Sequence, residues 1–288
     1  MVRMQLDLAL SYDVVAPGCD LILNIHAAQT PCQRVQEEQL SISQAIACEM
    51  FGDQLTGNRY ARLRAEPGPL QINYSALIDI QHHVAAPESI GEVPVSRLPA
   101  RVLHFIYPSR YCQSDRLLNL AIREFGHLWQ GYGRVLAIQN WVRERVKFTP
   151  NTSNSHTSAI DTLIEQVGVC RDFAHLMIAL CRALSIPARF VTGTDYGADP
   201  RLGPPDFHAY VEVFLDFRWY LFDPSGTALP MGLVRMGTGR DAADVAFATI
   251  FGSVNSLAPK ILTQAIVDQT AGLVMPYHSS SALSTDEV

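Results

Sequence analysis

The first eighty residues alternate. Met4, Leu6, Leu8 and Leu10 place an apolar side chain at every second position, the period of a strand buried on one face. Asp20–His26, Val35–Ile42 and Gln71–Ile80 read as further strands, with turns at Ala16-Pro17-Gly18, Thr56-Gly57-Asn58 and Glu66–Pro69. Short strands at this spacing predict an antiparallel β-sandwich over residues 1–105. Ala85–Pro99 carries Pro87, Gly91, Pro94 and Pro99 and reads as an irregular linker, which sets the boundary near residue 105. Beyond it the apolar spacing changes to three and four. Helices are predicted at Asp115–Trp129, at Arg134–Val146, at Ile160–Val167 and at Cys170–Leu184. Ser158, three residues before Asp161, forms a capping-box pattern for the third of these. Pro187 stops the fourth, and a strand at Ala188–Thr194 follows.

The loop Asp195–Asp206 then leads to two strands, His208–Leu215 and Trp219–Asp223. Such a loop either lines a groove or is a plain surface connection. A last strand is expected at Gln264–Thr270, and the Ser-rich tail from His278 is expected to fray. The second unit, 106–288, therefore reads as α+β, with helices packed on an antiparallel sheet. Trp129, Trp141 and Trp219 are as well explained as core residues as they are as walls of an apolar channel for an amine.

Composition narrows the classes. The 288 residues are 48% hydrophobic and 17% charged, with a formal net charge of −6 and no Lys/Arg cluster, so nothing favours a nucleic-acid partner. Six cysteines, Cys19, Cys32, Cys48, Cys112, Cys170 and Cys181, show no C-x-x-C spacing and read as reduced thiols. Asp7 interrupts what would be a signal core, and no apolar run reaches the length of a membrane span. The expectation is a cytoplasmic protein; no feature fixes its oligomeric state.

The chemistry gathers around Gly168-Val169-Cys170-Arg171-Asp172-Phe173-Ala174-His175. Gly168 breaks the chain between two helices and leaves Cys170 at the start of the second. Unpaired N–H groups and the positive end of the dipole stabilise an anion there, and a thiolate is an anion. A lone cysteine at such a place also serves simply as a small packing residue. Downstream, Asp216-Phe217 can form a two-residue hairpin loop that pairs Leu215 with Arg218. His208 then lies opposite Ser225, Asp223 opposite Tyr210, and His208 and Asp223 become diagonal neighbours on one face. A loop one residue longer or shorter would separate them. Glu212 shares that face as a second partner for the imidazole. Cysteine, histidine and aspartate so arranged are suited to nucleophilic acyl transfer.

These three blocks, Gly-Val-Cys-Arg-Asp-Phe-Ala-His, His-Ala-Tyr-Val-Glu-Val-Phe-Leu and Trp-Tyr-Leu-Phe-Asp-Pro-Ser, resemble the signature of the bacterial transglutaminase-like cysteine protease family. The likeness covers residues 105–250 well, and the first hundred residues resemble the β-rich domain often fused to that core. Tyr210 stands where the family often has Trp, and Ser225 where it often has Thr. The resemblance implies a papain-like transglutaminase core with Cys170 as nucleophile, His208 as general base and Asp223 as orienter. The expected activity is a cysteine peptidase or amidase working on a peptide, protein or amide substrate through a Cys170 thioester. The alternatives are a protein-glutamine transglutaminase with an amine acceptor, and a non-catalytic binding module on the same fold.

Other candidates have simpler explanations. His82-His83 reads as a strand end, since no further ligand sits at metal spacing, and neither a metal nor another cofactor is expected. His175 lies about 140° around the helix from Cys170 and reads as a hydrogen-bonded core residue. Asp172 would oppose a thiolate unless backbone N–H groups or Arg171 engage it. Gly237-Thr238-Gly239-Arg240 reads as a turn and not a phosphate loop. The Cys170 N–H supplies one oxyanion donor; Gln166 and Trp141 are candidates for the second by residue type alone.

Overall fold

The computed structural model describes residues 1–54 and 56–287. Six strands open the chain: β1 (Val2–Val14), β2 (Cys19–Leu23), β3 (Gln33–Ile42), β4 (Cys48–Gly52), β5 (Arg59–Ala65) and β6 (Gly68–Ile80). β1 and β6 pair along their full length, from Val2 opposite Ile80 to Val14 opposite Gly68, with β3 on the far side of β6. β2, β5 and β4 form the second sheet in that order. The alternation seen in the sequence turns Leu6, Leu10, Leu21, Leu63, Ile72 and Tyr74 into one shared interior, the two-layer sandwich expected of this pattern.

A short strand, β7 (His83–Ala85), leads into residues 86–105. This stretch is less free than an irregular linker. It makes three short 3₁₀ turns, buries Ile90 and Val93, and bridges Gly91 to Gly131 and Glu92 to Leu215. Then come α1 (Leu118–Phe125), α2 (Tyr132–Arg145), β8 (Lys147–Phe148), α3 (Ala159–Glu165), β9 (Val167–Gly168) and α4 (Cys170–Ala183). α1 is shorter than its apolar spacing predicts, and Trp129 beyond it is 92% exposed, not in the core. Trp219 is buried against Phe105 and Phe214, and Trp141 is half-buried against Phe125. The remaining strands of the second unit are β10 (Ala188–Thr194), β11 (Phe207–Leu215), β12 (Arg218–Phe222) and β13 (Gly237–Gly239), giving an antiparallel order β13-β10-β11-β12.

The chain then crosses back. β14 (Ala248–Phe251) pairs with β2, while β15 (Val254–Ser256) and β16 (Lys260–Ile266) pair with β1. A division at residue 105 puts these strands in the second unit, yet their hydrogen bonds belong to the first. Without them β1 and β2 would each present an open row of N–H and C=O groups, and the late strands cover both edges. The tail is not frayed either. β17 (Ala282–Ser284) pairs with β7 and β18 (Asp286–Glu287) with β12, and Ala282 through Thr285 are buried. Among the described residues, no helix is long and apolar enough to cross a membrane.

Candidate active site

The spacing of Phe173, Met177 and Leu180 suggests a one-sided helix, but every residue of α4 from Asp172 to Ala183 is buried. It is a central helix, enclosed by α1, α2, α3 and the sheet. Only its first turn reaches the surface, and there Cys170 is half-buried. Gly168 does more than break the chain. A Cβ at that position would lie 2.7 Å from the Asp172 Cβ, so glycine makes room for Asp172 to fold back. The Asp172 carboxylate then accepts the Val169 N–H at 2.9 Å and the Ser153 hydroxyl at 2.8 Å. Arg171 approaches it at 3.5 Å and donates to Ser153 at 2.6 Å. The charge that would oppose a thiolate is thus engaged, by both of the means the sequence offered.

The hairpin has the register on which the histidine–aspartate pairing depends. Leu215 pairs with Arg218, and Asp216 and Phe217 take φ values of 45° and 60°. Two consecutive left-handed residues form the tight turn whose twist matches the flanking strands. His208 Nε2 lies 3.3 Å from Asp223 Oδ1, and both residues are nearly fully buried. That leaves Nδ1 as the ring nitrogen available to the Cys170 thiol. The Tyr210 ring stands edge-on to the imidazole at 4.5 Å, with its hydroxyl donating to the Thr194 carbonyl at 2.8 Å.

Asp223 is held on every side. Its Oδ1 accepts the Ser225 N–H at 3.0 Å and the Ser225 hydroxyl at 2.6 Å, and its Oδ2 accepts the Ala228 N–H at 3.1 Å. Its main-chain carbonyl accepts from Arg143 of α2 at 2.7 Å. No local pattern marks Arg143 for this role; for Ser225, a hydroxyl two residues after an aspartate is an available signal. Burial pushes the Asp223 carboxyl up, but the His208 charge and these hydrogen bonds outweigh it and hold it below the usual range. Burial likewise pulls His208 down. The Asp223 charge, then Cys170 and the hydrogen bonds to both, outweigh that effect and push the imidazolium up to about 10.

Cys170 and His208 open into a cleft of about 820 Å³. The loop 195–206 forms one wall, so it lines a groove; residues 242–250 form another. Tyr111, Phe148, Phe190 and Phe207 give it an apolar floor. Arg110 and Arg171 lie over the Tyr111 ring at 4.9 and 5.6 Å. Near His208 stand Asp195 and Asp206, whose carboxyls are raised by burial despite the imidazolium nearby.

The remaining candidates fall elsewhere. Gln166 is an exposed left-handed residue ending α3, and the Trp141 indole donates to Glu124 at 3.1 Å; neither lines the cleft. His175 accepts the Ala242 N–H at 3.2 Å between the rings of Tyr111 and Phe190, and burial keeps it neutral. His83 begins β7, with its ring against Tyr220. Among the described residues, no three His, Cys, Asp or Glu side chains are grouped to hold a metal. Residues 237–239 form a strand and not a turn.

Glu212 serves a buried ion cluster, not His208. It pairs with Arg189 at 2.6 Å and with Arg235, and both arginines also pair with Asp286. Glu212→Gln is therefore expected to destabilise the fold by about 3 kcal/mol, since it leaves two buried cations short of one charge. Thermal unfolding should show this as a drop of roughly 6–12 °C. The Cys170 alkylation rate of the folded variant should be unchanged.

The transglutaminase-like superfamily matches residues 124–224, and the N-terminal domain of bacterial transglutaminases matches residues 2–101. The crystal structure of a candidate cysteine protease from Cytophaga hutchinsonii is similar over nearly the whole molecule. It is 38% identical with a TM-score of 0.91, covering 98% of this chain and 97% of that one. An uncharacterized protein of Mycobacterium leprae is 32% identical over 117 residues, which is 39% of this chain and 42% of the relative. An uncharacterized protein of Mycobacterium tuberculosis is 35% identical over 114 residues, 34% of this chain and 36% of the relative. The match thus spans about two fifths of the length of these curated relatives.

Proposed function

The chain belongs to the transglutaminase-like superfamily and carries the bacterial N-terminal domain, and from that premise we propose that it is a thiol hydrolase of peptide or amide bonds. Membership and the likeness to a candidate cysteine protease support thiol-dependent enzyme chemistry in general. The observation that carries the finer reading is one imidazole placed between a buried carboxylate and a half-exposed thiol, at the mouth of a cleft wide enough for a peptide.

In this reading His208 takes the proton of Cys170, or the two rest as an ion pair. The sulfur attacks the substrate carbonyl, and the C=O electron pair moves onto oxygen. The N–H of Cys170, at the first helical position, has no intrahelical acceptor and donates to that oxyanion. When the carbonyl re-forms, the C–N bond breaks and His208 gives its proton to the departing amine. A thioester on Cys170 remains. His208, now neutral, takes a proton from water as the oxygen attacks, and collapse releases the acid and the Cys170 thiolate. Asp223 keeps the Nε2–H tautomer throughout and stabilises the imidazolium. The proposed setting is cytoplasmic: all six cysteines are free, as thiols are in a reducing compartment.

One observation favours a second reading, transfer to an amine. Asp195 and Asp206 flank the cleft near His208 without a salt-bridge partner among the described residues, and could receive an ammonium group. Such a contact also holds the amine in its charged, non-nucleophilic form. Water is present at about 55 M, so an amine prevails only with a large effective molarity. Hydrolysis is the expected outcome. Peptide and glutamine substrates offered with excess primary amine, followed by mass spectrometry, should give mainly the acid; dominant amine adducts would overturn the hydrolase reading.

A further inference from the structure

Residues 245–250 line the cleft one after another, without a gap. A strand that turned one face to a cavity would contribute every second residue, so an unbroken run means that this strand presents its edge. β14 pairs with β2, Thr249 opposite Ile22 and Phe251 opposite Asp20. The ladder reaches back to Phe247, whose carbonyl accepts the Asn24 N–H at 3.0 Å. Antiparallel hydrogen bonds recur at alternate residues, so Phe247, Thr249 and Phe251 direct their main-chain groups at β2. Ala248 and Ile250 direct theirs the other way. β14 is the outermost strand of its sheet, and among the described residues no strand pairs with that side.

An open edge is a template for another strand, and the fold protects its long one. β3 carries Arg34, Glu37 and Glu38 and is bulged between Val35 and Glu37. β14 reads Ala-Thr-Ile-Phe, with no charge, no proline and an unshifted register. It is also the edge beside the proposed chemistry. The Phe247 ring stacks on Phe207 at 4.3 Å, and Phe207 adjoins His208. Resting on the hydrolase reading, we propose that the occupant of this edge is the substrate: an extended peptide segment adds itself to β14 as a further strand, its main chain bonded to Ala248 and Ile250. The edge lies within a cleft, which favours a single segment over the sheet of a second copy. Recognition through main-chain groups tolerates many side chains, so the substrate class is an extended or unfolded peptide and not one sequence. The sandwich thereby supplies a substrate-binding element to the catalytic unit.

The test uses the full chain carrying Cys170→Ala, so that bound peptide is not consumed. An acetylated, amidated octapeptide of alternating alanine and threonine is titrated to saturation at millimolar concentration. Hydrogen exchange resolved to single amides by NMR is the readout. The Ala248 and Ile250 N–H groups gain acceptors and should be protected at least about fivefold. Those of Thr249 and Phe251, already bonded to β2, should change by less than about twofold. The same peptide N-methylated at every residue should protect none of them. Ala248→Pro removes one edge donor at the first position of β14, where proline is tolerated. It should weaken binding at least about threefold. If that variant fails to fold, the exchange pattern of the unaltered edge decides alone. No binding, protection of neither edge amide, equal protection of all four, or binding that survives N-methylation would overturn the proposal. The native chain with the same peptide, followed by mass spectrometry, tests the hydrolase reading separately. Protection without cleavage counts against that reading and supports the strand pairing; cleavage without protection does the reverse.

Discussion

At neutral pH, iodoacetamide is expected to label Cys170 at least about tenfold faster than any of the other five cysteines. The contrast comes from surroundings. Cys112 and Cys181 are buried, and burial pushes both thiols up, Cys112 to about 12. Burial raises Cys19 and Cys48 as well. Cys170 is half-exposed in an open cleft beside an imidazolium, which supplies the positive charge a thiolate needs. The pH dependence has a definite sign. His208 sits at about 10 in the folded protein against an ordinary 6.5, so it stays protonated through neutrality and loses its proton as pH rises through about 10. Its contribution to stability is fully present below about 6.5 and disappears over the same alkaline window. Turnover that needs the imidazolium to protonate the leaving amine should fall there too. Site-resolved mass spectrometry after short exposures gives the ranking; labelling of Cys170 no faster than that of Cys32 would remove it as nucleophile.

What could be read from the chain was the part written in local patterns. The period-two alternation of β1 survives in the fold as strict burial of every second residue. The hairpin register followed from two residues, Asp216 and Phe217, because a two-residue loop admits only one pairing. The proximity of His208 and Asp223 was legible for that reason. Long-range pairing was not. Nothing in Lys260–Ile266 says that its partner is β1, more than two hundred residues earlier, since an exposed edge accepts any strand of suitable pattern. The ion cluster around Glu212 was hidden for the same reason: Arg189, Arg235 and Asp286 meet only when the tail returns. α4 misled in the opposite way. Its one-sided apolar spacing leaves Asp172 and Arg182 looking like an outer face, but each finds a partner inside, as expected of His175: Arg182 alone donates to the carbonyls of Ala188, Tyr107 and Arg240. A polar residue satisfied by distant backbone looks, in sequence, like one satisfied by water.

Asp223→Asn is expected to lower turnover by about 10³–10⁴ while the protein stays folded. The size follows from the charge. A carboxylate 3.3 Å from the imidazole contributes on the order of 5 kcal/mol at an effective dielectric constant of 20, or between three and four decades. It is this attraction that overcomes burial at His208. Without it only the contact with Cys170 opposes burial, and the imidazolium is expected to be lost at lower pH, leaving the sulfur without its counterion. The hydrogen bonds add a second effect. Both Asp223 oxygens already receive main-chain N–H groups, Ser225 on Oδ1 and Ala228 on Oδ2. An amide must therefore turn its NH₂ toward one N–H donor. Facing Ala228, it keeps the Nε2–H tautomer but leaves a buried donor unpaired, at a cost of about 1–3 kcal/mol. Facing Ser225, it also presents a donor to His208 Nε2 and forces the opposite tautomer, with the proton on the nitrogen that should receive one from Cys170. Either choice damages the site. Ser225→Ala removes only the hydroxyl at 2.6 Å and retains the charge, so its effect on turnover should be about tenfold or less. Circular dichroism and thermal unfolding separate loss of fold from loss of chemistry, and the alkylation rate of Cys170 near neutral pH reports the imidazolium directly. An Asp223→Asn protein whose Cys170 still labels at the native rate, and still turns over, would end the assignment of Asp223 as the group that orients His208.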